Sequence, residues 1–247
     1  MLQSEVARQV AKALSVTLSA NENERLFQKY TTNIDAYDVF LQARRTVDSA
    51  NKDALLKGEK LFARVIELDP DFAWGYIALG GAYVSNGDPV SGVDVVREAL
   101  TLEPNSYEAN LFMGFYLAFA GESALAVEHS LLAKRLGPGD SVRGMAFLAA
   151  AQFMNRNYTE AVRILSEMYR KFPRTTNPNI RAHFAAAYAL LDKPEEAAAV
   201  AKKLLMDHPN FNLSQWKYIS SYISEEDRTR IYNAAKKAGI PEFPKDE

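Results

Sequence analysis

The histidines are the residues of this sequence best suited to chemistry, because an imidazole can bind a metal ion or transfer a proton near neutral pH. There are three, at His129, His183 and His208. None stands at a spacing from another histidine or from an acidic pair that is typical of a metal site. His208 precedes a proline where a helix should end, a position that suits a cation. We therefore predict no metal site and retain only His183, which falls beside a predicted groove, as a candidate ligand contact.

Two pairs of adjacent acids could serve general acid–base chemistry, namely Glu195–Glu196 and Glu225–Glu226. Both pairs fall at predicted helix starts, where the helix dipole stabilises negative charge without any catalytic role. We therefore interpret them as helix-capping residues. With no cysteine in the chain, disulfides, thiolate metal sites and cysteine nucleophiles are excluded.

The sequence has no glycine-rich phosphate loop. Gly80 and Gly81 lie inside a predicted helix, and Gly137 and Gly139 are not followed by Lys-Ser or Lys-Thr. The spacings also offer no set of nucleophile, base and orienting group. We expect a chain that is not itself an enzyme and that needs no cofactor.

Composition narrows the class of protein further. The 247 residues include 29 basic and 31 acidic side chains, for a net charge of -2, so no basic field exists to collect nucleic acid or anionic lipid. No run approaches the roughly 18 to 20 apolar residues of a membrane span. Residues 1–18 lack the features of a secretory signal. We expect a soluble and cytoplasmic chain, with a periplasmic location left open.

The strongest pattern in the sequence is a period of 34 residues, which decides the architecture. One unit carries Leu79, Gly80, Tyr83, Gly92, Ala99 and Pro104, and the next carries Met113, Gly114, Leu117, Ala126, Ala133 and Pro138. Two further copies follow after short shifts, and an irregular copy precedes them. The predicted units are residues 33–70, 73–106, 107–140, 141–174 and 178–211.

Each unit is predicted to form two antiparallel helices. A proline closes every unit, and a proline disfavours helix at the residue before it. Short turn sequences such as Asn86-Gly87-Asp88 separate the two helices. Small residues, for example Gly80 and Gly92, leave room where the helices cross, and a larger side chain there would cost about 1 to 3 kcal/mol.

The segments outside the repeats are predicted to cap the array. Residues 1–32 contain an amphipathic helix at 2–18, whose apolar positions recur every four residues, and a shorter helix at 22–30. Residues 212–247 are predicted to form capping helices and a polar tail, with the last helix opened by Ser224.

This pattern resembles the tetratricopeptide repeat, and the resemblance covers about residues 33–211. It implies an all-α fold, a right-handed superhelical array of antiparallel helix pairs, which is an α-solenoid. It also implies a concave surface, lined by the first helix of each unit, on which such arrays bind their partners.

Projecting the helical period onto the concave surface predicts an apolar groove. Its predicted residues are Trp74, Ile77, Val84, Leu111, Phe115, Phe119, Phe153, Met154, His183 and Leu190, with alanines at 118, 146, 150, 182 and 186 between them. An exposed apolar surface of this breadth usually binds an amphipathic helix or an extended peptide. Two alternatives remain open: some of these side chains belong to the core, or the chain's own N-terminal helix fills the groove.

The groove differs from the clamp with which some tetratricopeptide modules grip the acidic C-termini of heat-shock chaperones. Those modules use lysine, arginine and asparagine at the inward positions. Here the inward positions are mostly apolar, with Arg143 and Asn179 as isolated polar exceptions. A carboxylate clamp of that kind is therefore not expected.

A second resemblance rests on three short segments. The segments LQSEVA at 2–7, NIDAYDVFL at 33–41 and AGIPE at 238–242 are similar to the repeat region of bacterial class III adenylate/guanylate cyclases. In that family the repeats follow a separate catalytic domain, whose metal-binding aspartate motif has no counterpart in this chain. The resemblance implies the regulatory or partner-binding region of a bacterial signalling protein.

We therefore predict a protein-interaction or scaffold module that binds a partner peptide or helix in the apolar groove. One alternative is a small-molecule or lipid sensor, for which Tyr188, His183 and Arg143 are the candidate polar groups. The other alternative is self-assembly into a homodimer, for example through the N-terminal helix.

Overall fold

A computed structural model describes residues 31–48, 51–137, 140–175, 177–216 and 219–243 of the protein. The helices predicted at 2–18 and 22–30 lie outside the described residues. Within them the chain is helical, which confirms the predicted all-α fold of stacked antiparallel pairs. No helix in these segments is both long and apolar enough to cross a membrane.

The helices form five pairs and a final single helix in the described part of the chain. The pairs are α1 (Ile34–Val47) with α2 (Lys52–Leu68), α3 (Ala73–Ser85) with α4 (Pro89–Leu102), α5 (Tyr107–Phe119) with α6 (Ser123–Leu136), α7 (Val142–Met154) with α8 (Tyr158–Lys171), and α9 (Pro178–Leu190) with α10 (Pro194–Asp207). Two short 3-10 helices, Leu213–Gln215 and Ile219–Ser221, precede α11 (Glu225–Lys237). Each pair lies within one of the predicted repeat units.

Helix starts are fixed by capping side chains. The side chains of Asn33, Ser106 and Ser141 each accept a hydrogen bond from the backbone N–H three residues later, at the starts of α1, α5 and α7. In two repeats the turn between paired helices uses a left-handed glycine, Gly87 or Gly121, with φ of 88° and 86°. Glycine adopts this conformation without steric cost, so the antiparallel return needs few residues.

The two helices of a repeat approach closely because small residues face each other. A Cβ atom added to Gly80 would lie 2.8 Å from the carbonyl oxygen of Gly92, and one added to Gly114 would lie 2.9 Å from that of Ala126. Both distances are shorter than a carbon atom tolerates. The small residues found in the sequence pattern are therefore the crossing points of the pairs.

First and second helices have different environments. Each first helix from α3 to α9 packs on its own partner, on the preceding second helix and on neighbouring first helices, so that α3, α5, α7 and α9 line one concave side. The second helices carry exposed ion pairs on the outer side, including Arg64–Glu67, Arg97–Asp94 and Arg163–Glu160. The concave side is therefore the apolar side of the array.

After α10 the chain turns back along the array. We call its described residues 213–216 and 219–243 the C-terminal brace. The Ile223 N–H donates to the Phe119 carbonyl at the end of α5, at 3.1 Å. Helix α11 packs on α9, starts after the predicted cap Ser224, and ends before Gly239, which has φ of 96°. The brace thus spans the C-terminal ends of α5, α7 and α9.

Candidate functional site

The concave side holds a cavity of about 590 Å³ between the first helices of four repeats. Its walls come from α3, α5, α7 and α9, and Tyr222 of the C-terminal brace closes one edge. The lining residues are Gly81, Val84, Ser85, Phe112, Phe115, Tyr116, Phe119, Val142, Arg143, Ala146, Phe147, Ala149, Ala150, Phe153, Leu165, Asn177, Asn179, Ile180, His183 and Tyr222. A volume of this size lies in the range of ligand-binding clefts.

Aromatic rings form a continuous chain along the cavity. Trp74 contacts the edge of Phe112 at 6.0 Å between ring centroids, and Phe112 contacts Phe147 at 5.6 Å. Phe147 stacks on Phe115 at 3.8 Å and 7°, and Phe115 meets Phe119 edge-on at 4.8 Å. Contacts of this geometry stabilise each ring beyond the burial of its area. The wall of the cavity is therefore preformed.

The C-terminal brace extends this row of aromatic rings through Tyr222. Its ring stacks on Phe119 at 4.6 Å, and its hydroxyl lies 2.9 Å from His183 Nε2. His183 Nδ1 lies 2.9 Å from the Asn179 carbonyl oxygen, which can only accept, so Nδ1 carries the proton and Nε2 accepts from Tyr222. Trp216 covers the imidazole at 4.8 Å. Burial lowers the pKa of His183 to about 4, so the ring is neutral at pH 7.

Polar groups gather at one edge of the cavity, in the first turns of two helices. Arg143 of α7 is exposed, with its guanidinium 5.7 Å from the centre of the Phe112 ring. Asn177 caps α9 by accepting from the N–H groups of Asn179 and Ile180, and all three also line the cavity. Among the described lining residues, Arg143 is the one that carries charge at pH 7.

The predicted groove residues divide into two sets. Five of them line the cavity together: Val84, Phe115, Phe119, Phe153 and His183. Ala146 and Ala150 line it with them, whereas Ala118, Ala182 and Ala186 are buried in the core.

The remaining predicted groove residues lie elsewhere. Ile77, Leu111 and Met154 are buried in the core and do not line the cavity, so their placement on the groove was wrong. Trp74 and Leu190 do not line the cavity: Trp74 contacts Phe112, which does, and Leu190 packs on the buried core.

The lining residues that the sequence analysis missed include Phe112, Phe147 and Tyr222. Phe112 and Phe147 occupy the repeat position that His183 holds in α9, so the repeat register itself contained the signal. The residues at the position of His183 in the two preceding first helices, α7 and α5, are Phe147 and Phe112. No local pattern identifies Tyr222, because the brace brings it back from beyond the repeats.

A small-molecule pocket and a groove filled by the chain itself are the alternatives to an open peptide groove. Tyr188, proposed as a polar group of a small-molecule pocket, packs on Phe184 at 4.9 Å and does not line the cavity. The N-terminal helix proposed to fill the groove lies outside the described residues. The chain does cover part of the concave side, but with the C-terminal brace. Within the described segments no three His, Asp or Glu side chains are grouped as a metal site would need.

Comparison with protein families matches residues 152–219 to the tetratricopeptide repeat. A Rhizobium meliloti protein named "Putative adenylate cyclase 3" is 31% identical over 78 residues, which cover 32% of this chain and 13% of that protein. The protein bimA of Emericella nidulans is 29% identical over 83 residues, 34% of this chain and 10% of bimA. The chain thus matches well under two thirds of the length of either relative.

Solved structures share the fold over most of the chain. PilW, described as a widely conserved type IV pilus biogenesis factor, superposes with a TM-score of 0.63 at 13% identity, covering 84% of this chain and 90% of PilW. A thermophilic repeat protein of Thermus thermophilus gives 0.60 at 15% identity, over 81% of this chain and 98% of that one. MamA of Desulfovibrio magneticus gives 0.55 at 16% identity, over 75% and 99%. Residues 152–219 thus match the tetratricopeptide repeat, and the superpositions show that a fold of the same stacked helix pairs extends over most of the chain.

Proposed function

We propose that this protein binds a segment of a partner protein in the aromatic cavity of its concave side. The observation that carries the proposal is the row of partly exposed rings, Phe112, Phe115 and Phe147, which line the cavity. Large apolar side chains left open in this way are typical of binding surfaces. Arrays of this type use their concave surface for that purpose.

The setting that we propose is a bacterial signalling protein. The match to the Rhizobium meliloti protein named as a cyclase supports a regulatory or recruiting region of a cyclase-like protein, but it covers only 13% of that relative. We propose that this chain performs no catalysis and acts in the cytoplasm. A catalytic domain would then belong to the parent protein.

A photo-cross-linking experiment tests the proposal. Benzoylphenylalanine replaces Phe147 in the cavity, and in a control protein it replaces Leu131, which is 44% exposed on α6. We expect a cross-linked protein at position 147 alone, and we expect Phe115→Ser to abolish it. Equal cross-linking at both positions would contradict the proposal. So would a cross-link from position 147 only to residues 1–30 of the same chain, because the groove would then be filled internally.

A small-molecule sensor is the second candidate, and a specific observation favours it. Tyr222 closes one edge of the cavity and hydrogen-bonds to His183, so the space is less open than a plain groove. Mass spectrometry of protein purified under native conditions separates the candidates. A stoichiometric small molecule released on denaturation, and absent from the Phe147→Ser variant, would assign the cavity to that ligand.

A further inference from the structure

We propose that the partner segment presents a large apolar side chain together with an acidic residue about one helical turn away, and that Arg143 binds the acid. The inference rests on the proposed function and specifies the chemistry of the peptide. It depends on three features of the cavity, which are its size, its aromatic walls and the position of its charge.

The size of the cavity limits how much of a partner can enter. One turn of α-helix, about 10 to 12 Å across and about 5.4 Å long, occupies roughly 420 to 610 Å³. The cavity of about 590 Å³ is therefore comparable in volume to one such turn. A long helix laid along the whole array would not be enclosed. The segment that enters is short, and its recognition depends on a few side chains.

The walls specify the apolar part of that segment. Phe112, Phe115 and Phe147 line the cavity and are partly exposed, and Phe115 and Phe147 are already stacked on each other. Each ring offers its edge or face to an entering side chain, a geometry that suits an aromatic or a large aliphatic group. Because the rings hold one another in place, binding such a group orders few protein side chains.

The positive charge of Arg143 specifies the polar part of the partner segment. Arg143 lines the cavity, and it forms no ion pair with any acid in the described part of the chain. Glu108 holds the same repeat position in α5, yet it does not line the cavity. No acidic side chain is found among the described lining residues, so the cavity offers one cation and two amides to an incoming group. An anion complements this edge, whereas a basic peptide would meet repulsion.

The opposite edge explains the direction in which the peptide lies. Tyr222 and the ends of α3 and α5 close that edge, where Phe119 is buried under the Tyr222 ring. Arg143 and Asn179 occupy the edge formed by the first turns of α7 and α9. A segment whose apolar side chain enters the aromatic centre therefore continues past Arg143. The acidic residue belongs within about one turn of the apolar one.

A random-peptide phage library displayed against the whole protein tests the inference. We expect the wild-type protein to enrich peptides that combine a large apolar residue with Asp or Glu three or four positions away. Arg143→Glu should remove that acidic preference and favour Lys or Arg. The matched control is Lys202→Glu, which makes the same charge change on the exposed side of α10 and should enrich the wild-type set.

Fluorescence anisotropy then tests the ion pair between Arg143 and the acid of the peptide. It compares one enriched peptide with its amide analogue, in which Asn or Gln replaces the acid. We expect the amide analogue to bind wild-type protein about two- to fivefold more weakly, the range of an exposed ion pair. With Arg143→Ala the two peptides should bind equally, because the partner of the acid is gone. Equal binding of both peptides to the wild type would overturn the inference about Arg143.

Other outcomes separate this inference from the proposed function. Enriched peptides that need Phe147 but carry no acid would overturn the inference and leave the proposed function in place. Peptides that bind Phe147→Ser as well as wild type would overturn both. Displacement of the peptide by a medium-chain fatty acid at equal concentration would assign the cavity to a free carboxylate and would overturn the peptide as its occupant.

Discussion

The two ends of the concave surface have the same repeat architecture but different coverings. Toward the C-terminus, Phe153 is 1% exposed where the brace packs on the array, and the brace's own Tyr222 and Trp216 are 2% and 3% exposed. Toward the middle of the array, Phe112 and Phe147 remain partly exposed along the cavity. A ring at the covered end is part of the core, whereas a ring at the open end forms a wall of a binding site.

The difference does not arise from the repeats themselves. Phe112, Phe147 and His183 occupy the same position in three successive first helices. Of these three, His183 is the residue that contacts the brace, through the hydroxyl of Tyr222 and the ring of Trp216. Whether a concave residue is available to a partner therefore depends on where the chain turns back after the last repeat.

We expect the largest loss of stability from removing the Tyr222 side chain, which packs at the covered end of the concave surface. Tyr222→Ala loses the stack on Phe119 and the hydrogen bond to His183, and the free energy of unfolding should fall by about 3 to 5 kcal/mol. Urea unfolding followed by circular dichroism measures this change. Tyr222→Phe keeps the ring and leaves Nε2 of His183 without a donor, so we expect a loss of about 1 to 3 kcal/mol.

Phe147→Ala provides the matched measurement at the open end. Its ring is partly exposed, so the same truncation should cost less, about 1 to 2 kcal/mol. A loss as large as that of Tyr222→Ala would mean that the open end is core as well. That result would remove the basis for a binding site.

Acidification tests the covered end through His183. Its pKa is lowered to about 4 in the folded protein, against about 6.5 in an unfolded chain. Between these values the unfolded state binds the additional proton, so stability is complete above pH 6.5 and is lost as the pH falls toward 4. From pH 7 to pH 5 we expect a loss of about 2 kcal/mol from this residue.

The measurement is the urea midpoint at a series of pH values for wild type and His183→Gln. The variant should have a shallower slope between pH 7 and pH 5. Burial also lowers the pKa of His129, so a part of the slope should survive in the variant. An unchanged slope would show that the His183 ring is not desolvated by the brace.

The sequence was sufficient to predict the architecture of the repeats. The positions of Gly80, Gly92 and Gly114 are dictated by the close approach of paired helices, and such a constraint recurs in every copy. Prolines and turn residues fix where each helix ends. A repeat pattern is informative because every copy repeats the same packing requirement at the same spacing.

The cavity was only partly predictable, for two physical reasons. The first helices are apolar almost all the way round, so a helical projection cannot separate the face toward the cavity from the face toward the second helix. For this reason Ile77 and Leu111 were placed on the groove and Phe112 was not. The second reason is that Tyr222 reaches the cavity through a long-range return of the chain, which no local pattern records.

The smallest expected effect concerns the surface charges that join the brace to the array. Arg156 pairs with Glu226, and Lys237 pairs with Asp192 at 2.8 Å, in both cases between largely exposed side chains. Water and salt screen such pairs, and holding the long side chains in place costs entropy. We expect Arg156→Ala and Lys237→Ala to leave the urea midpoint close to that of the wild type.

These variants distinguish two kinds of interaction that could hold the brace on the array, ion pairs and apolar packing. If ion pairs held it, removing both cations or raising the salt concentration should uncover Phe153 and mimic Tyr222→Ala. If packing of Tyr222 against Phe119 and His183 holds it, the Arg156→Ala/Lys237→Ala double variant should unfold like the wild type at low and high salt. We expect the second result, because the buried ring loses solvent contact on folding and the exposed charges do not.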